Sequence, residues 1–275
     1  MALKGADQQL AGTAFSVSGE GPPLILVHGL GLNRHMWQWQ RDALAANFTV
    51  IAYDLFGHGQ SDKPTGPYTM EQMTNQICAL MDHLGLEQCA LAGFSLGGLI
   101  VQAFALAHPR RVSALAILNA AHGRTEQERA SLLGRVQQVR EQGPGSTVEA
   151  ALQRWFSADF AARSPQVLAQ VRDWVLANDP QVYPEVYKLL AQADIGLEQA
   201  IAAISCPTLV MTGEEDYGNS PEMSQRIAAL IAGARLEVLP GLRHMALAED
   251  PALVNEILVE FLTDALIDQE AQVRA

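Results

Sequence analysis

Cysteine is scarce in this 275-residue chain. Cys78, Cys89 and Cys206 are too few and too scattered for a disulfide framework or a zinc site. Basic residues are short too: 18 Lys and Arg stand against 30 Asp and Glu, a net charge of −12. That argues against nucleic acid as a partner, since phosphate neutralisation needs a basic surface, and it disfavours an anionic membrane. No apolar run reaches the roughly 18 residues of a bilayer span. The opening MALKGADQQLAG lacks the apolar core of a secretory signal. Repeats and low-complexity tracts are missing, while 49% hydrophobic and 17% charged residues argue for a folded, core-forming chain. The expectation is a soluble, acidic, cytoplasmic protein.

What the chain does have is rhythm. Short apolar or β-branched runs at 13–17, 24–28, 49–53, 89–94 and 113–118 alternate with helical patterns at 36–46, 69–84 and 96–108. Leu24 to Val27 is apolar without alternation, as in a central parallel strand covered on both faces. This alternation predicts an α/β fold with a mostly parallel sheet. From 122 to 200 strands cease, and helical patterns at 125–141, 147–157, 165–177 and 180–193 are punctuated by Gly143, Pro144, Gly145, Pro165, Pro180 and Pro184. Strand patterns return at 208–211 and 236–239, with helices near 221–232 and 251–266. The domain expectation is one core, 1–121 with 201–275, interrupted by an all-helical insertion at 122–200.

The sharpest chemical signal is Gly93-Phe94-Ser95-Leu96-Gly97-Gly98 between an expected strand and an expected helix. G-x-S-x-G in that context is a nucleophile elbow, a tight turn that lifts the serine hydroxyl above the sheet. The competing reading is an ordinary N-capping serine in a glycine-rich turn. His28-Gly29-Leu30-Gly31, closing the strand at 24–28, offers an oxyanion donor in the Leu30 N–H, beside the N–H of Leu96. An acid follows a late strand at Asp216, in competition with Glu214 and Glu215 of the same turn. After the last strand comes His244. After the strand at 113–118 stands Asn119, which cannot supply a carboxylate. The order serine, acid, histidine is that of a hydrolase elbow: His244 takes the Ser95 proton, Asp216 orients the imidazole, and an acyl-enzyme forms.

Together these residues resemble the α/β-hydrolase superfamily over nearly the whole chain. Tyr53 to Asp62 is similar to that family's D-x-x-G-x-G-x-S loop, Pro207 to Asp216 to its acid-bearing strand and turn, and His244-Met245 with Glu249-Asp250-Pro251 to its histidine loop. The resemblance implies an eight-stranded, mostly parallel sheet flanked by helices, with residues 122–200 as a helical cap over the site. Serine at 95 speaks against haloalkane dehalogenases and epoxide hydrolases, and Phe94 stands where carbon–carbon hydrolases carry asparagine. Gly-Phe-Ser-x-Gly-Gly resembles arylesterases and cofactor-free perhydrolases, while 135–143 and 152–157 look like segments of enol-lactonases. The implied activity is hydrolysis of an ester or lactone without metal or organic cofactor. Amide, carbon–carbon bond and peroxy chemistry stay open, as does a ligand receptor on the same fold.

For the pocket, the candidates are Trp37, Phe94, Trp155, Tyr187 and Met245, with Trp39, Phe156, Phe160, Trp174 and Tyr183 as further aromatics that either pack or line it. Arg124, Arg135, Arg140 and Arg154 either meet an anionic substrate group or pair with nearby Glu126, Glu128, Glu141 and Glu149. Oligomeric state is not legible in these patterns.

Overall fold

The computed structural model describes residues 8–274, with side chains as far as Leu266. Eight strands form one sheet: β1 (Gln8–Leu10), β2 (Thr13–Ser18), β3 (Pro23–Val27), β4 (Thr49–Tyr53), β5 (Cys89–Phe94), β6 (Val112–Leu118), β7 (Thr208–Gly213) and β8 (Arg235–Leu239). Their spatial order is β1-β2-β4-β3-β5-β6-β7-β8. Pairing is antiparallel in β1 with β2 and β2 with β4, and parallel from β4 to β8. β5 and β6 are buried along their whole length, which requires helices on both faces. α1 (Gln38–Ala45) packs on α11 (Pro251–Arg274), and α2 (Met70–His83) on α3 (Leu96–Ala107).

Between β6 and β7 run α4 (Glu126–Gln142), α5 (Gly145–Trp155), α6 (Ala158–Arg163), α7 (Pro165–Leu176) and α8 (Tyr183–Gln192), with no strand among the described residues there. α4 opens on a capping box, Thr125 with Glu128, satisfying two otherwise orphaned N–H groups. After β7 come α9 (Pro221–Leu230) and α10 (Ala246–Glu249).

Several expectations shift. The helix expected at 180–193 starts at Tyr183, with Pro184 in its first turn, where a missing N–H costs nothing. The pattern at 36–46 splits into a 3₁₀ turn, Arg34–Trp37, followed by α1. β1, α6 and α10 have no counterpart among the expected elements. No described helix is long and apolar enough to cross a membrane.

Because β4 to β8 are parallel, their C-terminal ends share one edge. Leu30, Ser95, Asn119, Asp216 and His244 all follow closely on those ends, where open α/β sheets gather their ligand-binding loops.

Candidate active site

Ser95 joins β5 to α3 with φ 55° and ψ −113°, a conformation that costs a non-glycine residue about 1–3 kcal/mol. Packing enforces it. A Cβ on Gly97 would run into the Val27 carbonyl oxygen, and one on Gly93 into the Gly97 carbonyl. The Ser95 N–H is held by the Leu118 carbonyl at 2.8 Å. A capping serine takes extended dihedrals and accepts from the first helical turn. Ser95 does neither, making no side-chain cap bond. Its side chain instead faces a cavity that His244 and Asp216 also line.

Asp216 Oδ2 lies 2.7 Å from His244 Nδ1. A carboxylate can only accept, so Nδ1 carries the hydrogen and the neutral ring presents a bare Nε2. Asn119 Nδ2 donates to the same Oδ2 at 3.1 Å, while the N–H groups of Gly218 and Asn219 donate to Oδ1 at 3.1 and 3.0 Å. Burial alone would push the Asp216 carboxyl up, but the His244 imidazole, the Asn219 N–H and the Asn119 amide together hold it below its usual range. The competing acids are spent elsewhere: Glu214 accepts from the Gly241 N–H at 3.0 Å, and Glu215 pairs with Arg243 at 3.2 Å. The His244 ring lies against Phe94, centroids 4.9 Å apart, and 6.0 Å from Trp155.

Leu96 is the first residue of α3, so its N–H has no acceptor within the helix and is open to a developing negative charge. The loop carrying Leu30 is braced by two histidines. His28 Nε2 accepts the Leu55 N–H at 2.9 Å, with Nδ1 donating to the Gly29 carbonyl at 2.8 Å. His58 Nε2 accepts the Gly31 N–H at 2.9 Å. Burial lowers both imidazoles, His28 to about 4 and His58 to about 3, so each stays neutral and able to accept. The segment around His58 is itself pinned by Asp54, which pairs with Arg34 and accepts the N–H groups of Arg34 and Gln60 at 2.7 and 2.9 Å.

The cavity measures about 390 Å³, within the range of small-molecule sites. Phe94, Trp155, Tyr187 and Met245 line it, as do Leu30 and Tyr183. Trp37 does not: the 3₁₀ turn directs its ring into the core, where it is 1% exposed. Phe156 and Phe160 stack on each other at 5.4 Å, and Trp39 meets Trp174 edge-on at 6.1 Å, so these four pack rather than line. Of the four arginines, Arg124 is buried against Asp194 and Arg140 pairs with Glu185. Arg124, Arg135 and Arg154 line the cavity, the last two without a carboxylate partner among the described residues.

Three residues have supporting roles that the sequence does not assign. In the sequence Asn119 reads merely as the lack of an acid. His58 is one variable position of a loop motif there. Glu249, 5% exposed, accepts the N–H groups of Ser157 and Arg243 at 2.7 Å each, and so ties the histidine loop to the chain entering α6.

A family model described as alpha/beta hydrolase fold matches residues 22–251. The 3-oxoadipate enol-lactonase 2 of Acinetobacter baylyi is 33% identical over 234 residues, 85% of this chain and 86% of that protein. The crystal structure of an enol-lactonase from Burkholderia xenovorans superposes with a TM-score of 0.87 at 33% identity, covering 94% of this chain and all of that one. A malate-bound thermophilic esterase from Thermogutta terrifontis gives 0.86 at 31% identity, over 92% and 93% of the two chains. With the family model matched over most of the chain and a relative 33% identical over 85% of it, the chain belongs to the α/β-hydrolase superfamily and is a hydrolase.

Proposed function

We propose that this protein cleaves a carboxylic ester or lactone through an acyl-enzyme on Ser95. The observation that carries the reading is a strained serine whose hydroxyl caps nothing and shares a cavity with a histidine held by a buried carboxylate. His244 Nε2 takes the Ser95 proton as Oγ attacks the acyl carbon. Negative charge gathers on the former carbonyl oxygen, which the N–H groups of Leu30 and Leu96 stabilise. As the tetrahedral intermediate collapses, the ester C–O bond breaks and His244 returns its proton to the departing alkoxide. Water, deprotonated by the same imidazole, releases the acid and restores Ser95. Asp216 keeps the tautomer and stabilises the imidazolium. The lactonase and esterase relatives support this bond class.

Residues 122–200 act as a cap on a core of 1–121 with 201–275, since α4, α5 and α8 contribute to the same cavity as Ser95. The three free cysteines suit a reducing, cytoplasmic setting.

The test is p-nitrophenyl ester hydrolysis from acetate to octanoate. Ser95→Ala is expected to lower kcat by at least about 1,000-fold, in line with loss of a triad nucleophile, with an unchanged circular dichroism spectrum. A fluorophosphonate is expected to label Ser95 alone. Full activity in Ser95→Ala would remove the nucleophile assignment.

A further inference from the structure

The geometry points to a carboxylate subsite in the cap: Arg135 on α4 and Arg154 on α5 face the cavity above Ser95 and hold a free carboxylate of the substrate. The inference rests on reading this cavity as the acyl-transfer site and adds that the ester or lactone it accepts is itself an anion.

Four arginines near the site sort into two kinds. Arg124 and Arg140 have their carboxylates, Asp194 at 3.2 Å and Glu185 at 2.8 Å. Arg135 and Arg154 form no ion pair with any described carboxylate. Arg135 spends Nε on the Tyr187 hydroxyl at 3.0 Å, which anchors the guanidinium by one edge and leaves four of its five N–H bonds for a partner. Arg154 has no hydrogen-bond partner among the described side chains and carbonyls. Both are only partly exposed.

Two like charges drawn from water beside each other are unfavourable unless an anion joins them. The strain is visible at Arg154, whose guanidinium is pulled below its usual range by burial and then by the Arg135 charge. No resident carboxylate relieves it. The carboxylates bordering the cavity are already engaged, Glu128 with the Thr125 N–H and hydroxyl at 2.7 and 2.9 Å, Asp216 with His244. In a chain of net charge −12, two uncompensated cations in the reaction cavity mark a place for a ligand's anion. The planar fork of arginine matches a carboxylate with two parallel hydrogen bonds.

The experiment has two independent readouts. Calorimetric titration with adipate, a dicarboxylate that is not a substrate for hydrolysis, is expected to show saturable binding absent with the neutral adipamide. Arg135→Gln and Arg154→Gln should each weaken that binding by about 10-fold or more, the range for a hydrogen bond to a charged group, with Arg154→Lys intermediate and thermal melts certifying the folds. In parallel, the ratio of kcat/KM for mono-p-nitrophenyl adipate over its methyl-capped ester should exceed about 10 in the unmodified enzyme, chiefly through KM, and fall towards 1 in the double variant. Absence of adipate binding, binding equal in the double variant, or a ratio of 1 or less would overturn the subsite. Adipate binding lost in the arginine variants, with neither ester hydrolysed, would uphold the subsite and overturn the ester chemistry alone.

Discussion

Asn119 is a residue whose importance lies in what it is not. It stands in the left-handed region at φ 48° directly after β6, and its amide reaches Asp216 Oδ2 while its carbonyl accepts from Asn219 at 2.5 Å. The buried acid is thus positioned by a neutral donor where a second carboxylate would raise its pKa. Asp216→Asn is expected to lower kcat by about 1,000- to 10,000-fold, because an amide facing Nδ1 favours the wrong tautomer. The exchange Asn119→Asp with Asp216→Asn returns one carboxylate to the same hydrogen-bonded cluster. It should recover part of that loss, readable as a kcat above that of Asp216→Asn alone on a p-nitrophenyl ester.

Among the elements, the loop from β8 into α10 is held from outside the sheet. Its Met245 N–H donates to the Trp155 carbonyl at 2.9 Å, Arg243 Nη1 reaches the carbonyls of Gln153 and Phe156 at 2.9 and 3.1 Å, and Glu249 accepts from Ser157 and Arg243. The catalytic histidine candidate is therefore tied to the end of α5 that carries Arg154 and Trp155. Glu249→Gln keeps the shape but turns an amide donor towards one of two part-buried N–H groups. An unpaired donor costs up to about 1–3 kcal/mol when buried and less when part-buried, so the urea midpoint should fall by an amount within that bound. The kcat should fall with it if the loop's attachment sets the place of His244, and a kcat equal to that of the unmodified enzyme would limit Glu249 to stability.

At the scale of the whole molecule, the buried neutral histidines make stability depend on acid. His28 and His58 take up protons near 6.5 when unfolded but only near 4 and 3 when folded, through burial. The unfolded chain then binds more protons below pH 6.5, so stability is full above that value and declines as pH falls towards 4. The slope is on the order of 1 kcal/mol per pH unit for each histidine. Urea midpoints at pH 7.5, 6 and 5 should fall in that order. His58→Gln retains an acceptor for the Gly31 N–H without a titrating group and should show about half the slope. An identical slope would mean that other groups govern acid sensitivity.

Much of this was legible in the residues. The strands expected at 49–53 and 89–94 coincide with β4 and β5, because uniformly apolar runs bounded by turn residues have few alternatives. The elbow, the order of serine, acid and histidine, and the helical stretch between β6 and β7 are likewise local patterns, set by periodicity and by glycine and proline chemistry. β1 was not legible, since Gln8 to Leu10 is short and polar and becomes a strand only by pairing with β2. α6 is too short for a helical period to register. Trp37 and the arginines mark the deeper boundary. Sequence spacing does not tell which way a tryptophan turns at the end of a 3₁₀ segment, nor which of four arginines finds a carboxylate from distant chain. Those outcomes depend on contacts between residues far apart in sequence, which packing alone brings together: Asp194 reaches Arg124 and Glu185 reaches Arg140, while Arg135 and Arg154 are left with their charge facing the cavity.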